Sequence, residues 1–188
     1  WFVFGADGPL SRAIMAELKS TGAESVLLEP AVTSGQRDDI FQVRPGSSED
    51  LEAAIHAATT SIAAVGGIIY TWEPTPAEKV SFGDLAGYET LVRLAADLGA
   101  ADRAGKARII VASSGAQSVF GEPVRQVDAA LAFGAVLALP AELPFVTLRS
   151  VDTGHLVEPA IAARLLVEEA VRQDAEPFVA WRAGCRWL

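Results

Sequence analysis

One cysteine, one methionine, two histidines and two tyrosines are all that this 188-residue chain contains of several residue types that carry redox, metal or proton-transfer chemistry. A lone Cys185 excludes an internal disulfide. With only His56 and His155 beside it, no metal-ligand spacing can be written, and a reducing, cytoplasmic setting is expected. Basic residues are also scarce, at 15 Lys and Arg against 24 Asp and Glu, for a net charge of −9. Nucleic-acid affinity rests largely on cations that neutralise phosphates, so nucleic acid is not an expected partner. No uninterrupted apolar run approaches the roughly 20 residues of a membrane-spanning helix, so no membrane partner is expected either. The sequence opens at Trp1 without an initiator Met or a charged-then-apolar leader, which suggests a piece cut from something longer.

What the chain does have is apolar residues, 51% of the total, in short runs of two periodicities. Trp1 to Phe4, Ser25 to Glu29, Ile40 to Arg44, Ile62 to Tyr70, Arg108 to Ala112, Phe145 to Val151 and Phe178 to Trp181 read as strands. Helices fall between most of them. Pro9 to Ser20 carries Leu10, Ala13, Ile14 and Leu18 at helical spacing, and Gly22 follows where a stop is expected. Ser47-Ser48-Glu49-Asp50 caps the next helix, with Leu51 and Ile55 facing inward. Later helices are read at Gly83 to Leu98, Val124 to Leu139 and Pro159 to Gln173, and Trp72 to Phe82, with Pro74 and Pro76, reads as a long loop. Alternating strands and helices imply βαβ crossovers and a parallel sheet covered on both faces. The predicted fold class is α/β, a three-layer doubly wound parallel sheet of Rossmann-like plan, in one domain spanning residues 1–188.

A dinucleotide site on such a fold needs a glycine-rich turn after the first strand, where backbone N–H groups meet the pyrophosphate. Here the turn is Gly5-Ala6-Asp7-Gly8-Pro9-Leu10-Ser11. Short-chain reductases space their glycines as G-x-x-x-G-x-G, which from Gly5 demands glycine at the positions held by Pro9 and Ser11. Pro9 removes an amide donor, and Asp7 brings a negative charge to the phosphate position. Glu29, at the end of the second strand, could meet an adenosine ribose, but without the turn it assigns nothing. The strand at Arg108 to Ala112 runs into Ser113-Ser114-Gly115, where such a reductase presents its substrate-orienting serine. Its tyrosine and lysine should follow within about a dozen residues. The stretch Gln126-Val127-Asp128-Ala129-Ala130-Leu131-Ala132 holds neither, Tyr70 and Tyr88 come too early, and Lys106 is the last lysine.

A Ser-His-acid triad of Ser114, His155 and Asp152 can be assembled on paper, but no nucleophile-elbow sequence supports it. His56 reads as an ordinary helix residue and Cys185 as an inert strand residue. A phospho-receiver would need an acidic pair after the first strand, an Asp ending the third and a Lys ending the fifth. Asp7 stands alone, and Arg44-Pro45-Gly46 and Ser113 occupy the other two places. No residue is therefore assigned as catalytic, cofactor-binding or metal-ligating.

Two segments nevertheless point to a family. Ile109-Ile110-Val111-Ala112-Ser113-Ser114-Gly115-Ala116-Gln117-Ser118-Val119, followed by Asp128-Ala129-Ala130-Leu131-Ala132-Phe133-Gly134-Ala135-Val136-Leu137-Ala138-Leu139, resembles the structural subdomain of modular polyketide synthase ketoreductases. Gly134, Glu142, Pro144, the strand Val146-Thr147-Leu148-Arg149-Ser150-Val151-Asp152 and the closing Val179 to Leu188 follow that outline in order. Pro140 and Val136 depart from it, and Glu142 falls in the loop rather than in the helix. The wording around Arg149 and Trp181 is closer to iterative synthases of the polyunsaturated-fatty-acid or enediyne kind.

The resemblance implies a degenerate short-chain dehydrogenase/reductase fold that binds no cofactor itself. It implies a catalytic ketoreductase subdomain as partner, downstream of Leu188, carrying NADPH and the Ser-Tyr-Lys/Asn residues, with an acyl carrier protein as a further partner. Two alternatives stay open: a free-standing degenerate relative acting as a binding or scaffold protein, and an active NADPH-dependent reductase with altered residues.

Overall fold

The computed structural model of the chain describes residues 1–44, 47–61, 65–71, 86–101 and 107–188. Its strands are β1 (Phe2–Phe4), β2 (Val26–Pro30), β3 (Gly35–Arg37), β4 (Ile40–Val43), β5 (Ile68–Tyr70), β6 (Ala107–Ser113), β7 (Val146–Asp152), β8 (Phe178–Arg182) and β9 (Cys185–Trp187). The helices are α1 (Pro9–Ser20), α2 (Ser48–Ser61), α3 (Ala86–Ala101), α4 (Ala130–Glu142) and α5 (Pro159–Val171). All nine strands form one sheet in the order β3-β4-β2-β1-β5-β6-β7-β8-β9. The inner pairs are parallel, and β3 and β9 close the two edges antiparallel.

Parallel strands need both faces covered, and two apolar clusters do this. Ile14 and Leu18 of α1 and Ala163, Leu166 and Val167 of α5 pack with Val3, Leu27, Ile69, Ile110 and Val151 on one face. Leu51 and Ile55 of α2, Leu91 and Leu94 of α3, and Ala135, Val136 and Leu139 of α4 pack with Phe2, Phe4, Ile68, Ile109 and Leu148 on the other. Each large side chain fully buried here contributes about 1.5–3 kcal/mol. The doubly wound, three-layer architecture predicted from the alternation is the one observed.

Boundaries differ where tertiary pairing overrode local pattern. β3 is not among the predicted strands, because Gly35-Gln36-Arg37 has little apolar alternation, while the strand expected around Cys185 is β9. β3 is the first arm of a tight hairpin with β4, and β9 the second arm of one with β8. Of the strand expected from Ile62 to Tyr70, the described residues show Ile68–Tyr70. Residues 62–64, the predicted loop at 72–82 and Lys106 lie outside the described residues.

Helix α4 starts later than expected, after one 3-10 turn at Val127–Ala129, and continues through Pro140 to Glu142. Proline lacks the N–H that would bond the carbonyl one turn back, yet the Leu143 N–H still donates to Leu139 O at 2.7 Å. Glu142 is therefore the last helical residue rather than a loop residue. Along the apolar run Ala135, Val136 and Leu139 face inward, Phe133 meets Phe178 edge-on at 5.5 Å, and Leu131 and Leu137 are 47% and 62% exposed.

The C-terminal hairpin is fastened by one buried carboxylate. Glu169 of α5, fully buried, accepts from Arg149 of β7 (2.8 Å), Trp181 Nε1 of β8 (3.2 Å) and Arg186 Nε of β9 (2.7 Å). Arg149 also donates to Asp174 Oδ1 at 2.7 Å. Removing one partner of a buried ion pair strands the other charge. Glu169→Ala is therefore expected to destabilise the fold by about 3–5 kcal/mol in urea unfolding. Joint replacement of Glu169 and Arg149 by apolar residues should cost clearly less.

Candidate functional site

In a doubly wound sheet, ligands bind beyond the strand C-termini at the point where strand order reverses. Here that point lies between β1 and β5. β1 ends in Gly5, whose N–H donates to Leu28 O, and Gly8 and Pro9 open α1. The ends of β1 and β5 stay bonded to each other there. Thr71, just after β5, donates through its N–H and its Oγ1 to Phe4 O at 2.7 and 3.2 Å. A Cβ added to Gly5 would sit 2.1 Å from that Oγ1 and 3.2 Å from Ser11 Oγ. The glycine is required by the close approach of Thr71, and Leu10 and Leu166 line the small cavity that remains.

Around the turn the acidic residues are engaged rather than free. Asp7 bonds Arg12 through both oxygens, at 2.8 and 2.9 Å, and Arg37 at 3.3 Å. The Arg12 hydrogen bond leads the causes that hold the Asp7 carboxyl below its ordinary pKa, against a desolvation that raises it. The repulsion of phosphate expected from Asp7 is therefore offset by two guanidinium groups. Glu29 accepts the Asp7 N–H at 3.2 Å and a Gln42 amide at 3.2 Å, so both of its oxygens are used in bracing the turn.

The serine turn at the end of β6 is equally self-contained. The Ser114 N–H donates to Gln126 Oε1 at 2.9 Å and its Oγ to Gly154 O at 2.9 Å, while the Arg125 N–H donates to Gly115 O at 2.8 Å. In sequence, Gln126 falls about where a reductase tyrosine would begin to be sought. Its amide instead folds back onto the turn. Tyr70 points into the core, stacked on Phe4 at 5.2 Å, and its burial pushes the phenol pKa upward. Tyr88 is exposed at the start of α3.

Asp152 is the polar centre of this edge. Fully buried at the end of β7, it accepts from the Gly115 N–H (2.7 Å), the Gln117 N–H (2.9 Å) and Arg182 (2.8 Å). Arg182 reaches on to Glu122 Oε1 at 2.7 Å. The fold thus brings Ser114, Asp152 and His155 close together without making a relay. His155 is exposed, and among the described residues no hydrogen bond joins it to either partner. In the sequence Asp152 stands as a paper triad acid and as the end of a strand in the family outline, and nothing there pairs it with Arg182, which lies in the closing segment.

Elsewhere, His56 is exposed on α2 and Cys185 is exposed on β9. Among the described residues no group of three or more His, Cys, Asp or Glu could hold a metal ion, and no helix is long and apolar enough to cross a membrane. A cleft of about 570 Å³ lies between α2 and α3, with Leu51, Val92 and Ala96 in its walls. Arg44 at its rim is already clamped by Asp50 at 2.7 and 2.8 Å.

No protein-family model and no curated protein matches the chain. Solved structures do. An adenylation, ketoreductase and pseudo-Asub multidomain structure of a keto acid-selecting NRPS module superposes with a TM-score of 0.77 and 20% identity, over 99% of this chain and 16% of that one. A C2-type ketoreductase from a modular polyketide synthase gives 0.71 and 19%, over 98% of this chain and 38% of that one. This chain has the short-chain dehydrogenase/reductase fold. A mutant form of a short-chain dehydrogenase/reductase from Serratia marcescens gives 0.67 and 17%, over 97% of this chain and 95% of that one. The chain therefore spans a minor part of the two multidomain or modular-synthase neighbours and nearly the whole of the single-unit one.

On this reductase-type scaffold, the Asp152-Arg182-Glu122 chain ties the β6–α4 loop to β8. Glu122 is held at about pKa 2, below its ordinary 4.5, first by Arg182 and then by the N–H groups of Phe120 and Val119. A depressed carboxyl stabilises the fold fully above the unfolded pKa and loses that contribution as pH falls through the folded one. Stability should therefore drop between about pH 4.5 and about pH 2. Urea midpoints measured across that window should show a shallower fall for Glu122→Gln than for the parent protein.

Proposed function

We propose that this chain is the non-catalytic structural half of a β-ketoacyl reductase of a polyketide synthase. Its partner half would bind NADPH and pass hydride to the β-keto carbonyl of an acyl chain carried by an acyl carrier protein. The observation that carries the reading is the turn at the reversal point between β1 and β5, where Thr71 stands against Gly5 and the next two expected glycines are absent. The rest is consistent with it. Pro9 and Ser11 replace two glycines of the turn, and Gln126 caps the serine turn. The two ketoreductase neighbours are longer than this unit, which covers 16% and 38% of them.

In this role the chain contributes shape rather than chemistry. Helix α4 offers the surface for it, with Leu131 and Leu137 exposed beside Gly134 and Ala138, Val127 exposed in the turn before it, and no charged side chain from Ala130 to Ala141. Small residues allow a partner backbone to approach closely, and a contiguous uncharged face of this kind marks an interaction site. A second reading is favoured by the Serratia reductase, which this fold covers almost end to end. A unit of this size can stand alone, and the chain would then be a free-standing degenerate scaffold. An active reductase with altered residues is the reading the crowded reversal point supports least.

Reading the parent reading frame beyond Leu188 separates these. The structural-half reading requires a second Rossmann unit there with a glycine-rich turn and a Tyr-x-x-x-Lys or related pattern. NADPH titrated into this chain alone, followed by nicotinamide fluorescence, is expected to show no saturable change. Micromolar saturable binding would remove the non-catalytic reading. Ala132 is half-buried against the core, so the informative docking variant is at Leu137, 62% exposed. Leu137→Asp should leave the isolated chain folded by circular dichroism. It should weaken its association with the reductase half by about tenfold or more, since an unpaired charge would be desolvated at the contact.

A further inference from the structure

The cleft between α2 and α3 takes no part in the role proposed above. Its volume, about 570 Å³, lies in the roughly 300–1,000 Å³ range of cavities that hold small organic ligands. Val43 at the end of β4, Leu51 of α2, and Val92 and Ala96 of α3 give it an apolar wall.

One polar group of that wall has no partner. Asp97 of α3 lines the cleft half-buried, and among the described residues neither a hydrogen bond nor an ion pair reaches its carboxylate. Desolvation, and after it the nearby Glu52 of α2, raise its pKa, against a smaller lowering by Arg93. A carboxylate placed in this way lacks a proton donor. The remaining charges of the lining offset one another. Arg44 is clamped by Asp50, and Glu89 and Arg93, both exposed, stand one helical turn apart with opposite sign.

The uncompensated features are therefore a carboxylate and the apolar wall beside it. An ammonium head on an aliphatic chain matches both. A carboxylate or phosphate head would be repelled by Asp97, and a neutral head would leave its charge without a counter-ion. We propose that the cleft between α2 and α3 is a binding site for a small aliphatic primary amine, with its ammonium group on Asp97 and its chain along Leu51, Val92 and Ala96. The site does not depend on which partner the chain has.

Hexylammonium, hexanol and hexanoate titrated into the full chain at neutral pH test it, followed by the backbone amide shifts of Leu51, Val92 and Ala96 in NMR spectra. Hexylammonium should give saturable shifts centred on these residues and bind about tenfold or more tightly than hexanol, the effect of one charge-assisted hydrogen bond. Hexanoate should bind no better than hexanol. Asp97→Asn should bring the amine down to the affinity of hexanol, with shifts far from the cleft unchanged as the check on folding. Equal affinity for hexylammonium and hexanoate in the parent chain, or amine affinity unmoved by Asp97→Asn, overturns the proposal. The first comparison needs no variant.

Discussion

A parallel sheet cannot leave a face in water, and most features of this chain follow from that constraint. The inner strands bury apolar residues on both sides, so helices must cross over and return, two on one face and three on the other. Because the crossovers all lead back in the same sense, the loops that could carry chemistry gather at the strand C-termini. The edges are where the parallel pattern stops. There the chain turns back on itself in two short antiparallel hairpins, and the one at β8–β9 needs the buried Glu169 with Arg149 and Arg186 to hold it against α5.

At the C-terminal edge several polar groups of the fold bond one another. Asp152 gathers backbone N–H groups from the β6–α4 loop and a guanidinium from β8, Glu29 braces the first turn, and Gln126 caps the serine turn. Likeness to ketoreductases and a short-chain reductase at this level of identity is likeness of fold, and fold alone does not fix function.

The surface of α4 carries the other half of that argument. Its inward residues Ala135, Val136 and Leu139 complete the core, and its outward residues are no more polar than its inward ones. A helix at the surface of an isolated domain ordinarily presents charges to water. This one presents leucine, glycine and alanine.

From the sequence alone, the alternation of β-rich runs with helical spacing determined the α/β class and the three layers, because hydrophobic period is a local property of the chain. The missing tyrosine and lysine after Ser113-Ser114, and Pro9 and Ser11 in the first turn, were equally legible as residue types at counted positions. The tertiary structure decided what counting could not reach. It alone made a strand of Gly35–Arg37, turned Cys185–Trp187 back antiparallel on β8, carried α4 through Pro140, turned Asp7 toward Arg12 and Arg37, and set Thr71 against Gly5, far away in sequence. Each of these depends on how groups meet in space, and no local period or spacing encodes such a meeting.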